Sequence, residues 1–135
     1  MIKKILVFIG IIFLSLPTAS FSKEKFEIEF AWGDIKNCTD GSPNTVLNPI
    51  FTLKNVPEGT NYIYFNMIDL DKRGVLHGGG KVEYSGQTKI EPGAFKYMSP
   101  CPPYGTHTYK WTATARDDKN KELGKASNTR KYPEK

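Results

Sequence analysis

Residues 99–116 read Ser-Pro-Cys-Pro-Pro-Tyr-Gly-Thr-His-Thr-Tyr-Lys-Trp-Thr-Ala-Thr-Ala-Arg. The two halves obey different rules. Three prolines within Ser99–Gly105 exclude a helix or a ladder and fix a rigid loop. From His107 onward the chain alternates. His107, Tyr109, Trp111, Ala113 and Ala115 face one way, and Thr108, Lys110, Thr112, Thr114 and Arg116 the other. That period of two is the signature of a strand with one buried and one solvated face.

Working outward, the same period recurs. Phe26, Ile28, Phe30 and Trp32 alternate with Glu27, Glu29 and Ala31. Ile50–Leu53 and Tyr62–Ile68 are rich in β-branched and aromatic residues, and Lys81–Tyr84 reads as a further short strand. Asn37–Pro49 is crowded with turn-formers and is expected to be loop. Ile90–Met98 mixes turn and extended chain, Asp117–Asn120 is a turn, and Lys121–Ala126 is a weakly patterned short strand. Apart from the N-terminal run, no window carries a helical stripe. The expected fold class is mainly β, an antiparallel sandwich with long loops and little helix.

The N-terminus has a different character. Lys3 and Lys4 precede the apolar run Ile5–Leu16, Pro17 breaks it, and Ser20-Phe21-Ser22 places small residues where a signal peptidase cuts. Residues 1–22 are therefore expected to be a signal peptide and 23–135 a single domain. Twelve apolar residues are too few to span a bilayer comfortably. No later run approaches spanning length, so no transmembrane segment is expected after processing. Removing the leader takes two lysines from a formal net charge of +5. The remaining basic residues are scattered, which argues against nucleic acid as a partner. The expected location is secreted or periplasmic. Both cysteines, Cys38 and Cys101, lie in the exported part, so the pair is expected to form one disulfide. Asn37-Cys38-Thr39 matches a glycosylation acceptor, a pattern with a high false-positive rate.

Chemistry-bearing residues fall at four places. Asp69-Leu70-Asp71 follows the Tyr62–Ile68 strand, and if the strand continues both carboxylates share a face. The calcium-loop pattern fails at Arg73 and at Gly80, so an EF-hand is rejected. His77-Gly78-Gly79-Gly80 resembles a lipase oxyanion loop, yet G-x-S-x-G is absent. What remains is a glycine run read as a loop whose amides approach an anion closely. The proline loop and the His107-Thr108-Tyr109 triplet complete the set. Two alternatives stay open: a Cys101–His107 nucleophile–base pair, and a zinc site of His77, His107, Asp69 and Asp71.

Taken together these residues resemble the phosphatidylethanolamine-binding protein family. That family carries D-P-D-x-P after a central strand, then a histidine, then G-P-x-P-P-x-G-x-H-x-Y. Here stand Asp69-Leu70-Asp71, His77, and Ser99 through Tyr109. The strand from Tyr109 to Asp117 is similar to the family's Y-x-W/F-x-x-x-A-x-D, and Ser42-Pro43 and Val56-Pro57-Glu58-Gly59-Thr60 are similar to its S-P and V-P-x-G-T segments. The resemblance covers roughly Ser42–Asp117. Leu70 replaces a proline, Lys72-Arg73 replaces Ala-Pro, and His77 is followed by glycine where Trp is common.

The resemblance implies an antiparallel sandwich with a small pocket for an anionic group. Its ligand-binding residues would be Asp69, His77, Pro102, His107 and Tyr109, with Asp71 as a neighbour. The implied partner is a small anionic ligand or phospholipid headgroup, with no cofactor and no metal. No nucleophile, base and orienter come together, so binding is expected and catalysis is not. The alternative reading is a secreted interaction protein, inhibiting a protease or kinase-like partner on the same fold.

Overall fold

Alternation of large apolar and polar side chains leaves each strand one face to bury, and the strands bury it against each other. The computed structural model describes Leu14, Pro17 and residues 22–134. The expected signal peptide and its cleavage point therefore fall largely outside the described residues. Nine strands follow in order: β1 (Glu27–Ala31), β2 (Thr45–Leu47), β3 (Ile50–Lys54), β4 (Tyr62–Asp69), β5 (Leu76–Glu83), β6 (Lys89–Ile90), β7 (Lys96–Met98), β8 (His107–Arg116) and β9 (Glu122–Tyr132). Among the described residues there is no helix, and none long and apolar enough to cross a membrane.

The strands form a four-stranded sheet in the order β5-β4-β8-β9, a three-stranded sheet β1-β3-β6 and a two-stranded ribbon β2-β7. All described pairings are antiparallel. Cross-strand register puts Ile63 opposite Ala115, Phe65 opposite Ala113 and Met67 opposite Trp111, so one face of the larger sheet is continuously apolar. Phe51 of β3 inserts against it, with ring centroids 4.5 Å from Phe65 and 5.2 Å from Trp111. Large residues from one sheet meet Ala113 and Ala115 of the other, which allows the layers to approach.

The open side of the sandwich is closed by side chains. β1 and β9 are both edge strands. Asn128 Nδ2 donates to the Ile28 carbonyl at 2.9 Å, Arg130 Nε to the Phe30 carbonyl at 2.5 Å, and Trp32 Nε1 to the Lys131 carbonyl at 2.9 Å. These bonds satisfy edge carbonyls that would otherwise invite another chain to pair. Asn48, buried, performs the same service for the 91–95 turn. Its Oδ1 accepts from the Gly93 and Phe95 amides, each at 3.0 Å, and its Nδ2 donates to the Pro49 and Glu91 carbonyls.

Three segments differ from the sequence expectation. The Asn37–Pro49 loop contains β2, a three-residue strand that forms only because β7 pairs with it. The expected Lys81–Tyr84 strand begins earlier, at Leu76, and takes in the glycine run. The weak Lys121–Ala126 pattern extends to Tyr132 as β9, where side chains face β1 and not a regular core. Cys38 and Cys101 are joined, with a Cα–Cα distance of 4.6 Å across 63 positions.

Two measurements follow from this architecture. Replacing both cysteines by alanine reopens the 63-position loop and should lower unfolding free energy by roughly 4 kcal/mol in chemical denaturation. Tyr97 is buried with no partner for its hydroxyl, and burial pushes its phenol above the ordinary value. The unfolded phenol ionises near pH 10 while the folded one resists. Its contribution is thus fully present below about pH 10 and is lost as pH rises above it. The thermal midpoint should fall between about pH 9.5 and 11, and Tyr97→Phe should flatten that fall while leaving the midpoint at neutral pH nearly unchanged. Equal slopes in wild type and variant would refute the assignment.

Candidate functional site

The site is built from the end of β4 outward. Asp69 is the last residue of β4, opposite Tyr109, and its carboxylate is buried. Beyond it the chain turns, and Asp69 Oδ1 accepts from the Asp71 amide at 2.8 Å and the Lys72 amide at 3.1 Å. Such a local bond is the usual work of Asp at a turn. The other oxygen, Oδ2, lies 2.7 Å from His107 Nδ1. An ionised carboxylate only accepts, so His107 Nδ1 carries the proton.

Asp71 has a different role. The strand ends at Asp69, so the two carboxylates do not share a strand face. Asp71 is exposed, and its Oδ2 accepts from the Thr108 amide at 2.5 Å. It fastens the turn to the start of β8 and lies outside the cavity described below.

His77 enters by an irregularity. Register passes from Met67 opposite Gly78 to Ile68 opposite Leu76, which leaves His77 as the extra residue of a bulge. Its ring turns inward and is buried, edge-on to Tyr109 at a centroid distance of 5.3 Å. Nδ1 is 3.0 Å from the Met98 carbonyl. A carbonyl accepts, so Nδ1 donates and Nε2 is left with a lone pair and no partner.

The glycines beside it are explained by space. A Cβ on Gly79 would stand 1.8 Å from the Phe65 carbonyl oxygen, and one on Gly80 2.3 Å from Phe95 Cβ. The run is strand pressed between β4 and the Phe95 ring. It is not the anion-cradling loop expected from the sequence.

A cavity of about 50 Å³ lies among these residues, walled by Asp69, His77, Tyr109, Cys101, Lys72 and Pro103. The disulfide ties two of its walls, the Gly41–Pro43 turn and the proline loop. The Tyr109 hydroxyl is buried beside the Asp69 carboxylate and the Cys101 backbone but makes no hydrogen bond of good geometry to either. Burial, and then the nearby Asp69 charge, hold this phenol above its ordinary range, so it stays a donor. Larger surface grooves of about 530 and 630 Å³ exist, but the residues with partnerless buried polar atoms line neither.

Of the sequence-expected residues, Asp69, His77 and Tyr109 therefore meet at one cavity. His107 stands behind Asp69 and stacks on Tyr109 at 6.3 Å, and Pro102 is fully buried in the loop behind. Lys72 and Pro103 were missed as wall residues, while Pro43 belongs to the Ser42-Pro43 segment already noted. Cys101 is in a disulfide, which removes the nucleophile alternative. Among the described residues, the only three-ligand cluster within 4.8 Å is Cys38, Asp40 and Cys101. The alternative zinc set is thus not assembled among the described residues.

No protein-family model matches the chain, and no curated protein does. Solved structures do. A Chlamydia trachomatis protein described as a candidate phosphatidylethanolamine-binding protein homologue matches with a TM-score of 0.58 and 13% identity, over 84% of this chain and 100% of its own. Escherichia coli YbcL, described as a new member of the mammalian phosphatidylethanolamine-binding protein family, matches with a TM-score of 0.61 and 16% identity, over 83% of this chain and 100% of its own. The chain has the phosphatidylethanolamine-binding protein fold.

The glycine reading is directly testable by thermal and denaturant melts. Gly78, with φ +78° and no atom within 4 Å of a built Cβ, should accept alanine at a cost of roughly 1–2 kcal/mol from backbone conformation. Gly79→Ala has no room and should cost about 3 kcal/mol or more. Comparable losses for the two variants would contradict the close β4–β5 approach.

Proposed function

We propose that this chain is an exported small-ligand-binding protein of the phosphatidylethanolamine-binding type, whose cavity takes an oxyanion the size of phosphate or sulfate. The observation that carries the reading is a pair of buried polar atoms on residues that share one cavity of about 50 Å³: His77 Nε2, which has no partner, and Tyr109 Oη, which makes no well-formed hydrogen bond to the Asp69 and Cys101 groups beside it. Unsatisfied polar groups are costly, and at a cavity wall they mark where a ligand supplies the missing bond. Export is supported by the disulfide. The fold's named relatives support a binding role.

The chemistry sets the protonation requirement. Tyr109 donates throughout the neutral range because its phenol is held protonated. His77 already spends its Nδ1 proton on Met98. Neutral, its Nε2 presents a lone pair and repels an anion. It becomes a donor only by taking a second proton, so anion binding and proton uptake are coupled. The charge of Asp69 is spread over two amides and His107. That blunts its repulsion of an anion and leaves it suited to an ammonium group on the same ligand.

Sulfate keeps its charge across the range in which imidazoles titrate, so it isolates the protein's share. Affinity should rise as pH falls from about 8 to 5, by the roughly 1.5–3 kcal/mol of one charge-assisted hydrogen bond. Phosphate should instead pass through a maximum, because it loses charge over the same interval. Calorimetric titration of wild type, His77→Ala and Tyr109→Phe checks this. The first variant should lose the pH slope, and the second should lose affinity at every pH. A flat wild-type profile, or an unchanged slope in His77→Ala, would overturn the reading.

A further inference from the structure

The four-stranded sheet buries one face and leaves the other bare. On that outer face the register places Tyr62 beside Arg116 and Glu83, Tyr64 beside Thr114 and Lys81, Asn66 beside Thr112, and Ile68 beside Lys110. β9 continues the same rows with Lys125 opposite Thr114, Ser127 opposite Thr112 and Lys131 opposite Thr108. Five cations, Lys81, Lys110, Arg116, Lys125 and Lys131, thus share the face with two carboxylates, Glu83 and Glu122. Glu122 and Lys125 pair with each other at 3.2 Å, which leaves Lys81, Lys110, Arg116 and Lys131 against Glu83.

The other sheet serves as an internal control. Its outer face carries Glu27 and Glu29 against Lys54 and Lys89, with Glu29 and Lys54 paired at 2.6 Å. Charge there balances, so the excess on the larger sheet is a property of that face and not of the composition. Two of its cations are also held in place. Lys81 Nζ sits 3.8 Å from the Tyr62 ring centroid, and the Arg116 guanidinium 5.6 Å from that of Tyr64. A cation resting on a ring keeps its charge unneutralised and has less side-chain freedom left to lose on binding.

We propose that this outer face binds an extended anionic polysaccharide. Strands lie about 4.8 Å apart and every second residue about 6.8 Å along, so the cations form an open arc and not a single pocket. Inside the arc lies an uncharged row of Asn66, Thr112 and Ser127. Hydroxyl and amide groups framed by fixed cations match a chain that alternates hydroxyls with acidic groups. The row ends at the groove of about 530 Å³ between β9 and β1, whose near wall is Lys110, Thr112, Lys125 and Ser127 and whose far wall carries Glu27 and Glu29, so the acidic far wall bounds the polyanion's path on the β8–β9 side. Single-stranded nucleic acid fits less well, because cations sit over both tyrosine rings where bases would stack. This face is separate from the Asp69–His77–Tyr109 cavity, so its test does not depend on that reading.

The test uses the protein purified after expression of the full chain and dextran sulfate oligosaccharides, with neutral dextran, poly-glutamate and single-stranded oligonucleotide as comparators. Wild type should bind dextran sulfate in low salt, weaken as salt rises and ignore neutral dextran. Lys110→Gln with Lys125→Gln should weaken binding about ten-fold, as should the charge-preserving pair Thr112→Val with Ser127→Ala. Lys54→Gln with Lys89→Gln, on the balanced sheet, and His77→Ala should leave it unchanged. Melting curves identify any variant that fails to fold. Amide-shift mapping of the wild type then decides the matter, with shifts expected along β8 and β9. Shifts elsewhere, equal weakening by the Lys54 and Lys89 pair, or poly-glutamate or oligonucleotide bound as tightly as dextran sulfate would each overturn the proposal.

Discussion

The buried carboxylate of Asp69 fixes the geometry on which the cavity depends. Its three donors come from three places: the amides of Asp71 and Lys72 in the turn, and the ring of His107 at the start of β8. An acceptor with this many partners keeps its charge in a buried position at tolerable cost. The bonds also set directions. They end β4, hold the 70–75 turn over the cavity, and turn His107 so that its ring lies along Tyr109. Asp71 reinforces the same joint from outside through Thr108. Two carboxylates two residues apart thus do different work, one buried at the cavity and one at the surface.

The opposite wall depends on sterics. His77 reaches the interior because β5 gains one residue relative to β4 at the bulge. A regular strand would have alternated that side chain in or out by parity alone. The bulge also needs β5 and β4 to run close together, and the absence of side chains at Gly79 and Gly80 permits it. Phe95 then covers Gly80 and stacks on Phe65 at 5.5 Å, which joins the wall to the core. On the third side the disulfide fastens the proline loop to the Gly41–Pro43 turn, so the cavity is bounded by a hydrogen-bonded joint, a packed strand and a covalent link.

Much of this was legible in the sequence, for identifiable reasons. β8 was read correctly because alternation is a local property, and the cysteine pair because two cysteines expected to be exported have only each other to pair with. Asp69, His77 and Tyr109 were found together through the family resemblance, since residues 69, 77 and 109 have no local pattern in common. The misreadings also have physical causes. β2 exists only by pairing with β7, and three residues carry no period of their own. Propensity alone makes the glycine run a loop, whereas the close approach of Phe65 and Phe95 selects glycine within a strand. Lys72 as a wall residue follows from the turn closed by Asp69, a tertiary fact with no sequence signal.

Among the described residues, four buried side-chain polar atoms make no well-formed hydrogen bond, and they fall into two kinds. Tyr97 Oη and Trp111 Nε1 sit on rings packed 5.0 Å apart in the aromatic core, away from the cavity wall. Their cost is carried by the apolar burial of those rings, which outweighs one lost hydrogen bond. His77 Nε2 and Tyr109 Oη belong to residues that face the cavity and carry less of the core. There the same deficit has another consequence. A ligand that supplies the missing partners stabilises the folded state by mass action, because the unfolded chain does not assemble the site. Under the proposed binding role, those unmet hydrogen bonds are what a ligand would satisfy. That division separates two orphans carried by aromatic packing in the core from two on residues that line the cavity, one of them a phenol that burial and Asp69 hold protonated.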